Sequence, residues 1–145
     1  MKLINEMKLS FESRSCNESF ARSAVAAFIA VLDPNVEELS DIKTAVSEAV
    51  TNCIVHGYRE GIGKVYIHVK IFEGARIKII IRDKGCGISD VKKAMEPLYI
   101  TCETGERAGL GFSIMESFMD RLKVRSKEGK GTTVTLEKSI VSKGK

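Results

Sequence analysis

Residues 64–82 read KVYIHVKIFEGARIKIIIR. The two arms, Lys64–Phe72 and Arg76–Arg82, are rich in valine and isoleucine, which suit a pleated, half-buried surface. Glu73 and Gly74 stand between them, so the stretch predicts an antiparallel hairpin. Upstream, Met7–Phe11 alternates apolar and polar residues and predicts a further strand. Ser15-x-x-Glu18 has the pattern of a capping box. After it Phe20, Ala24, Ala27, Phe28 and Val31 recur at helical spacing, predicting a first helix that runs to about Leu32. Asp33-Pro34-Asn35 breaks it. A second helix follows from Val36 or Asp41 to His56, with Ile42, Val46, Ala49, Val50 and Cys53 as its apolar stripe and Gly57 as its stop.

Downstream of the hairpin, Asp83–Asp90 is a glycine-rich loop and Val91–Met95 a short helical turn. Glu96–Ala108 has no clear period and is expected to be a mobile segment. Leu110–Phe118 is helical, with Leu110, Ile114 and Phe118 on one face. Leu122–Ser126 and Thr132–Leu136 form a second hairpin around Gly129-Lys130-Gly131, and Ser142–Lys145 is expected to fray. The order β-α-α-β-β-α-β-β predicts an α/β two-layer sandwich: a mostly antiparallel, mixed sheet covered on one face by about three helices.

Composition narrows the function classes. The 145 residues fit one domain able to bury its own core, and 43% hydrophobic with 29% charged residues suits a globular chain. The 23 basic residues are spread along the chain and largely offset by 19 acids, so no basic arm argues for direct nucleic-acid binding. An anionic ligand such as a nucleotide can use part of the net charge of +4. Cys16, Cys53, Cys86 and Cys102 form no C-x-x-C pair and only two histidines exist, which argues against a zinc site and for reduced thiols in a cytoplasm. Met1–Ser10 lacks the apolar core of a leader, and no apolar run approaches the ~20 residues that span a bilayer, so no membrane association is expected.

Four segments can carry chemistry. Glu48, Asn52 and His56 follow one another at i, i+4 and i+8; each step of four advances a helix by about 40°, so they form one slanting polar stripe at the margin of the apolar face. A half-buried carboxylate beside an amide needs a partner, which a metal and phosphates can supply, although an ordinary helix edge with a solvated Glu48 has the same spacing. Asp83-x-Gly85-x-Gly87 ends a strand. Its carboxylate can accept from an exocyclic amine, and its two glycines permit positive φ or close approach to a flat ligand; a tight turn is the alternative. Gly105-Glu106-Arg107-Ala108-Gly109-Leu110-Gly111 leads into a helix whose free amides make an anion site, with Arg107 able to reach a terminal phosphate. It is neither a Walker A loop nor a dinucleotide fingerprint. Gly129-Lys130-Gly131-Thr132 is, alone, a plain hairpin turn.

Taken together, the four segments resemble the GHKL ATP-binding superfamily. Glu48-x-x-x-Asn52-x-x-x-His56-Gly57 resembles its N box, Asp83-x-Gly85-x-Gly87 and Gly105 to Gly111 its two glycine boxes, and Gly129-Lys130-Gly131-Thr132 its closing G-x-G-T. Within the superfamily, nearly the whole chain is similar to the bacterial anti-sigma serine kinases of sporulation, notably over Phe11–Arg14, Asn17–Arg22, Ser47–Tyr58 and Gly109–Asp120.

The resemblance implies ATP or ADP and Mg²⁺ as cofactors. It implies Glu48 as general base toward a serine hydroxyl, Asn52 as Mg²⁺ ligand, and Asp83 as acceptor from the adenine amine, with Thr132 nearby through a water. Gly85 and Gly87 would pass close to the base, while Gly109, Leu110 and Gly111 would offer amides to the phosphates. Gly105 and His56 would border the nucleotide and Arg107 would reach the γ-phosphate. The implied partners are a sporulation sigma factor, an anti-anti-sigma factor that is the phosphorylated substrate, and a second copy of the chain in a homodimer. Arg22, opposite the expected apolar stripe of the first helix and so expected to be exposed, is the implied partner contact; a merely solvated arginine is the alternative.

Three rivals remain. A stress-response anti-sigma kinase shares every site motif. A histidine-kinase catalytic domain would share the ATP site, but 145 residues leave no room for its helical hairpin, and His56 and His68 stand in the wrong contexts. A binding module gated by nucleotide, without phosphoryl transfer, would need only ordering around the γ-phosphate.

Overall fold

The computed structural model describes residues 1–59, 61–88 and 108–141. Strands β1 (Leu3–Glu12), β2 (Lys64–Phe72), β3 (Arg76–Asp83), β4 (Arg121–Lys127) and β5 (Gly131–Ser139) form a sheet in the order β1-β2-β3-β5-β4. Helices α1 (Asn17–Ile29), α2 (Val36–Asn52) and α3 (Ala108–Phe118) make the second layer, with a 3-10 turn at Ala30–Leu32 after α1 and a π turn at Cys53–Gly57 after α2. The two-layer expectation holds. All four pairings are antiparallel, so the sheet among the described residues is not mixed. β2 has the expected bounds; the other four strands run one to four residues beyond theirs at one or both ends because the backbone ladder continues where side-chain patterning stops.

One sheet face is dry. Val65, Ile67, Val69 and Ile71 of β2, Ile77, Ile79 and Ile81 of β3, and Val134 and Leu136 of β5 alternate inward. They meet Ala21, Val25 and Ile29 of α1, Ile42, Ala45, Val46, Ala49 and Val50 of α2, and Phe112 and Met115 of α3 in one buried cluster. Ile79 is fully buried at its centre. Ile79→Ala should lower unfolding free energy by about 2–5 kcal/mol, combining lost transfer energy with a cavity that a sheet cannot close; equilibrium denaturation measures it.

The helices depart from the sequence pattern in three ways. The buried face of α1 is Ala21, Val25 and Ile29, while Phe20 is 53% exposed and Val31 also faces out. Four alanines make α1 weakly apolar on several sides, so packing chooses the stripe. In α3 the buried residues are Phe112 and Met115, continued just beyond it by Met119, and Leu110 and Phe118 are exposed, for the same reason. Finally, Ser15 and Glu18 form no capping box: α1 starts after Cys16 with no side-chain cap. The capping box is on α2, where Asn35 Oδ1 accepts from Glu38 N at 2.7 Å and Glu38 Oε1 accepts from Asn35 N at 3.0 Å. Among the described residues, no helix is long and apolar enough to cross a membrane.

Candidate nucleotide site

The last turn of α2 carries Glu48 and Asn52, both half-buried. The α-helix stops there. The following turn is closed by Tyr58 N–H donating to Cys53 O at 3.0 Å, an i→i+5 bond that holds more residues per revolution than an α turn. His56 therefore does not continue the Glu48–Asn52 stripe as an unbroken helix would. It stands half-buried in the π turn, and its carbonyl accepts from Cys86 Sγ at 3.1 Å and Arg59 Nε at 3.3 Å.

The π turn delivers Gly57 to the end of β3. A β-carbon on Gly57 would lie 2.8 Å from the Asp83 carboxyl carbon, and Gly57 O accepts from Cys86 N at 2.9 Å. Asp83 is buried, 4% exposed. Its Oδ1 accepts from Gly85 N at 2.9 Å, and the Thr132 backbone N–H and the Cys53 thiol also donate to its carboxylate. The β3–β5 register sets Asp83 directly opposite Thr132. Burial raises the Asp83 carboxyl above its ordinary range against the lowering effect of these three donors. Burial, reinforced by Asp83, holds the Cys53 thiol well above its ordinary value, so it stays protonated and donates.

The two glycines of this box serve the protein backbone. A β-carbon at Gly85 would sit 2.0 Å from Gly57 O, and Gly85 is absent from the residues with positive φ. Gly87 does adopt φ +76°, with its open side against Lys127 O. The sequence expectation is close approach to a flat ligand; in the structure the surface that Gly85 and Gly87 approach is the chain itself.

At the other end of the site, α3 brings Gly111 against α2. A β-carbon there would be 3.1 Å from Glu48 Oε1 and 3.3 Å from both amide atoms of Asn52. Gly111 belongs to the first turn of α3, where backbone N–H groups have no intrahelical acceptor. Glu48, Asn52 and Gly111 thus border one region, while Asp83, Thr132, Gly85 and Gly57 form a second, joined to the first through Cys53. The exposed side chain of Leu110 takes no part in the core. Gly105 and Arg107 lie outside the described residues, as do the expected turn at Val91–Met95 and most of the Glu96–Ala108 segment.

Asn52 Nδ2 is buried with no hydrogen-bond partner among the described residues. An orphaned buried amide is costly, and rotation of the amide exchanges its donor for a hard oxygen acceptor. An oxygen donor beside a carboxylate and a helix N-terminus suits a magnesium-bound polyphosphate. Burial raises the Glu48 carboxyl, and the charge of Glu18 raises it further.

Arg22 differs from expectation. It is half-buried, with Nη1 donating to Glu18 Oε2 at 3.3 Å and Ser47 Oγ at 3.4 Å. With the buried face shifted to Ala21, Arg22 falls beside α2 instead of opposite the core. Sequence reasoning also missed Ser126, whose hydroxyl accepts from Ile88 N at 2.7 Å and meets Thr132 Oγ1 at 2.8 Å. It missed Tyr58 too, whose hydroxyl accepts from Lys84 N at 2.6 Å and donates to Lys64 O at 2.7 Å. A serine in a strand or a tyrosine after a helix carries no motif; only the fold brings them to the loop.

Residues 11–138 match the family described as the histidine kinase-like ATPase domain. An anti-sigma F factor of Thermoanaerobacter sp. is 56% identical over 142 residues, covering 98% of this chain and 99% of the relative. Another of Halalkalibacterium halodurans is 56% identical over 137 residues, covering 94% and 93%. Among solved structures, the RsbU and RsbW domains of a Mycobacterium tuberculosis protein superpose with a TM-score of 0.67 at 16% identity, covering 94% of this chain and 32% of that one. The mycobacterial sensor histidine kinase MprB gives 0.55 at 13% identity, covering 90% and 96%. These two likenesses speak for the fold alone, which agrees with the five-stranded sheet and its helical layer. With the N-box helix, the aspartate at the strand end and the glycine-led third helix converging as described, and with relatives aligned over almost their entire length, the chain belongs to the histidine kinase-like ATPase domain family and, within it, to the anti-sigma F factors.

Proposed function

We propose that the chain is an anti-sigma factor and protein serine kinase. It binds a sporulation sigma factor and uses Mg-ATP to phosphorylate a serine of an anti-anti-sigma factor. The observation that carries the reading is the common neighbourhood of Glu48, the Asn52 amide nitrogen (unpartnered among the described residues) and Gly111 at the N-terminus of α3. Asp83 accepts the adenine amine, with Thr132 beside it. The amides of Gly109, Leu110 and Gly111 hold the phosphates, and Arg107 supplies a cation to the γ-phosphate. Asn52 holds Mg²⁺, which when bound neutralises phosphate charge. The serine Oγ forms a bond to the γ-phosphorus, its proton passes to Glu48, and the bond from phosphorus to the β–γ bridging oxygen breaks, releasing ADP. Positioning and charge neutralisation supply most of such a reaction. The reading includes a homodimer and a partner contact at Arg22.

The test is to mix the protein with ATP labelled at the γ-phosphate and the anti-anti-sigma protein of the same genome. Label on a partner serine supports the reading. ATP binding with no label on any serine overturns transfer and leaves a nucleotide-gated binding module. Separately, Asp83→Asn should weaken ATP binding by about 1–3 kcal/mol, because it places a donor where the site offers acceptor geometry to the base. Calorimetric titration measures this, and unchanged affinity in the folded variant would reduce Asp83 to a turn residue.

A further inference from the structure

Ser126, Thr132 and Asp83 stand on three adjacent strands. The β4–β5 register pairs Ser126 with Thr132, and the β3–β5 register pairs Thr132 with Asp83. Paired residues of an antiparallel sheet share a face, so the three side chains form one row, on the face that also carries Val134 and Ile81. Ser126 Oγ has three neighbours. It accepts from Ile88 N–H at 2.7 Å, donates to Gly131 O at 3.0 Å, and lies 2.8 Å from Thr132 Oγ1. A hydroxyl has one proton and two lone pairs. The Ile88 amide takes one lone pair. Gly131 O brings no proton, so it takes the proton of Ser126. The lone pair left over can only receive a proton, and Thr132 must supply it. No other assignment makes all three contacts hydrogen bonds. With its single proton committed to Ser126, Thr132 Oγ1 offers its surroundings lone pairs only.

We propose that Ser126 is a positioning residue for base selection: by taking the Thr132 proton it makes the Asp83–Thr132 end of the site acceptor-only, suited to the 6-amino group of adenine and hostile to a 6-carbonyl. The proposal rests on the reading that Asp83 and Thr132 receive the base. A hydroxyl free to rotate donates to a carbonyl as readily as it accepts from an amine, and would blunt the choice that the Asp83 carboxylate makes. Ser126 removes that freedom without reaching the base, because its own proton and both of its lone pairs are used within the chain.

The experiment compares ADP with inosine diphosphate, which carries a carbonyl in place of the amine, by calorimetric titration of the full chain without its protein partner. Neither nucleotide is turned over. The parent should bind ADP more tightly. Ser126→Ala frees the Thr132 proton, so the ratio of ADP to inosine diphosphate affinity should fall about 3–10-fold, the worth of one hydrogen bond. Asp83 remains, so a smaller preference survives. Ser126→Thr keeps the hydroxyl and should keep the parent's ratio. Ser126→Ala also orphans Ile88 N–H, but that loss weakens both nucleotides alike and leaves the ratio where it was. An unchanged ratio in folded Ser126→Ala, whatever the absolute affinities, overturns the proposal and makes Ser126 a support of the glycine loop only. If Ser126→Ala does not fold, Thr132→Val decides, because it leaves Ser126 its Ile88 and Gly131 contacts: a fall in the ratio supports the proposal and the parent's ratio overturns it. A parent that binds both nucleotides equally refutes the placement of the base at Asp83, and the proposal with it. A parent that prefers ADP, with Ser126→Ala preferring it just as strongly, refutes the proposal alone.

Discussion

Glu48→Gln will bind ATP with the parent's affinity and transfer its γ-phosphoryl group about 10²–10⁴-fold more slowly, the range that a positioned general base supplies. Glutamine has the same length and leaves the packing against Gly111 intact, where a β-carbon would already stand only 3.1 Å from the Glu48 oxygen. What it lacks is the ability to accept a proton. Because transfer draws most of its acceleration from phosphate positioning, the loss should fall on the rate and spare binding. The measurement is single-turnover labelling of the partner beside an ATP titration. A variant that binds ATP and labels at the parental rate removes Glu48 as base. A variant that loses both would make Glu48 a structural support of the Gly111 contact.

The sequence made the site legible wherever local periodicity and motif coincide. Glu48 and Asn52 stand on α2, whose stripe of Ile42, Val46, Ala49, Val50 and Cys53 is wholly buried, so the helix register and its polar margin follow from spacing alone. Asp83 and Thr132 are 49 residues apart, yet a strand end and a hairpin start are recognisable, and the sheet register then pairs them. Where a helix is apolar on more than one side, spacing cannot say which side the sheet takes. That is why the expected faces of α1 and α3 missed Val25, Ile29, Phe112 and Met115. The π turn at Cys53–Gly57 is equally silent, because nothing in C-I-V-H-G distinguishes a five-residue closure from an α turn. Glu18 shows the opposite failure: it matches a local pattern, the capping box with Ser15, but a hydroxyl 29 residues away competes for its carboxylate and wins.

Gly85→Ala will destabilise the protein even without nucleotide, by about 1–3 kcal/mol or more. The added methyl would stand 2.0 Å from Gly57 O, 2.4 Å from Gly57 C and 2.9 Å from its Cα. All three are backbone atoms, so no side chain can rotate away. Relief requires the π turn and the end of β3 to separate. That separation breaks Cys86 N–H to Gly57 O and disturbs Gly85 N–H to Asp83 Oδ1. Loss of the second bond leaves the buried Asp83 with one donor fewer, so nucleotide binding should fall with stability. Gly61→Ala is the matched control: a β-carbon there meets nothing within 4 Å and φ is ordinary, so stability should stay within about 0.5 kcal/mol of the parent. Denaturation of the nucleotide-free proteins decides between the two reasons for a glycine at this position. If Gly85 is needed only so that a ligand can come close, Gly85→Ala will unfold like the parent and lose affinity alone. If it is needed so that Gly57 can come close, the variant will unfold earlier before any ligand is added, and the N-box turn and the glycine loop will prove to be one interlocked unit.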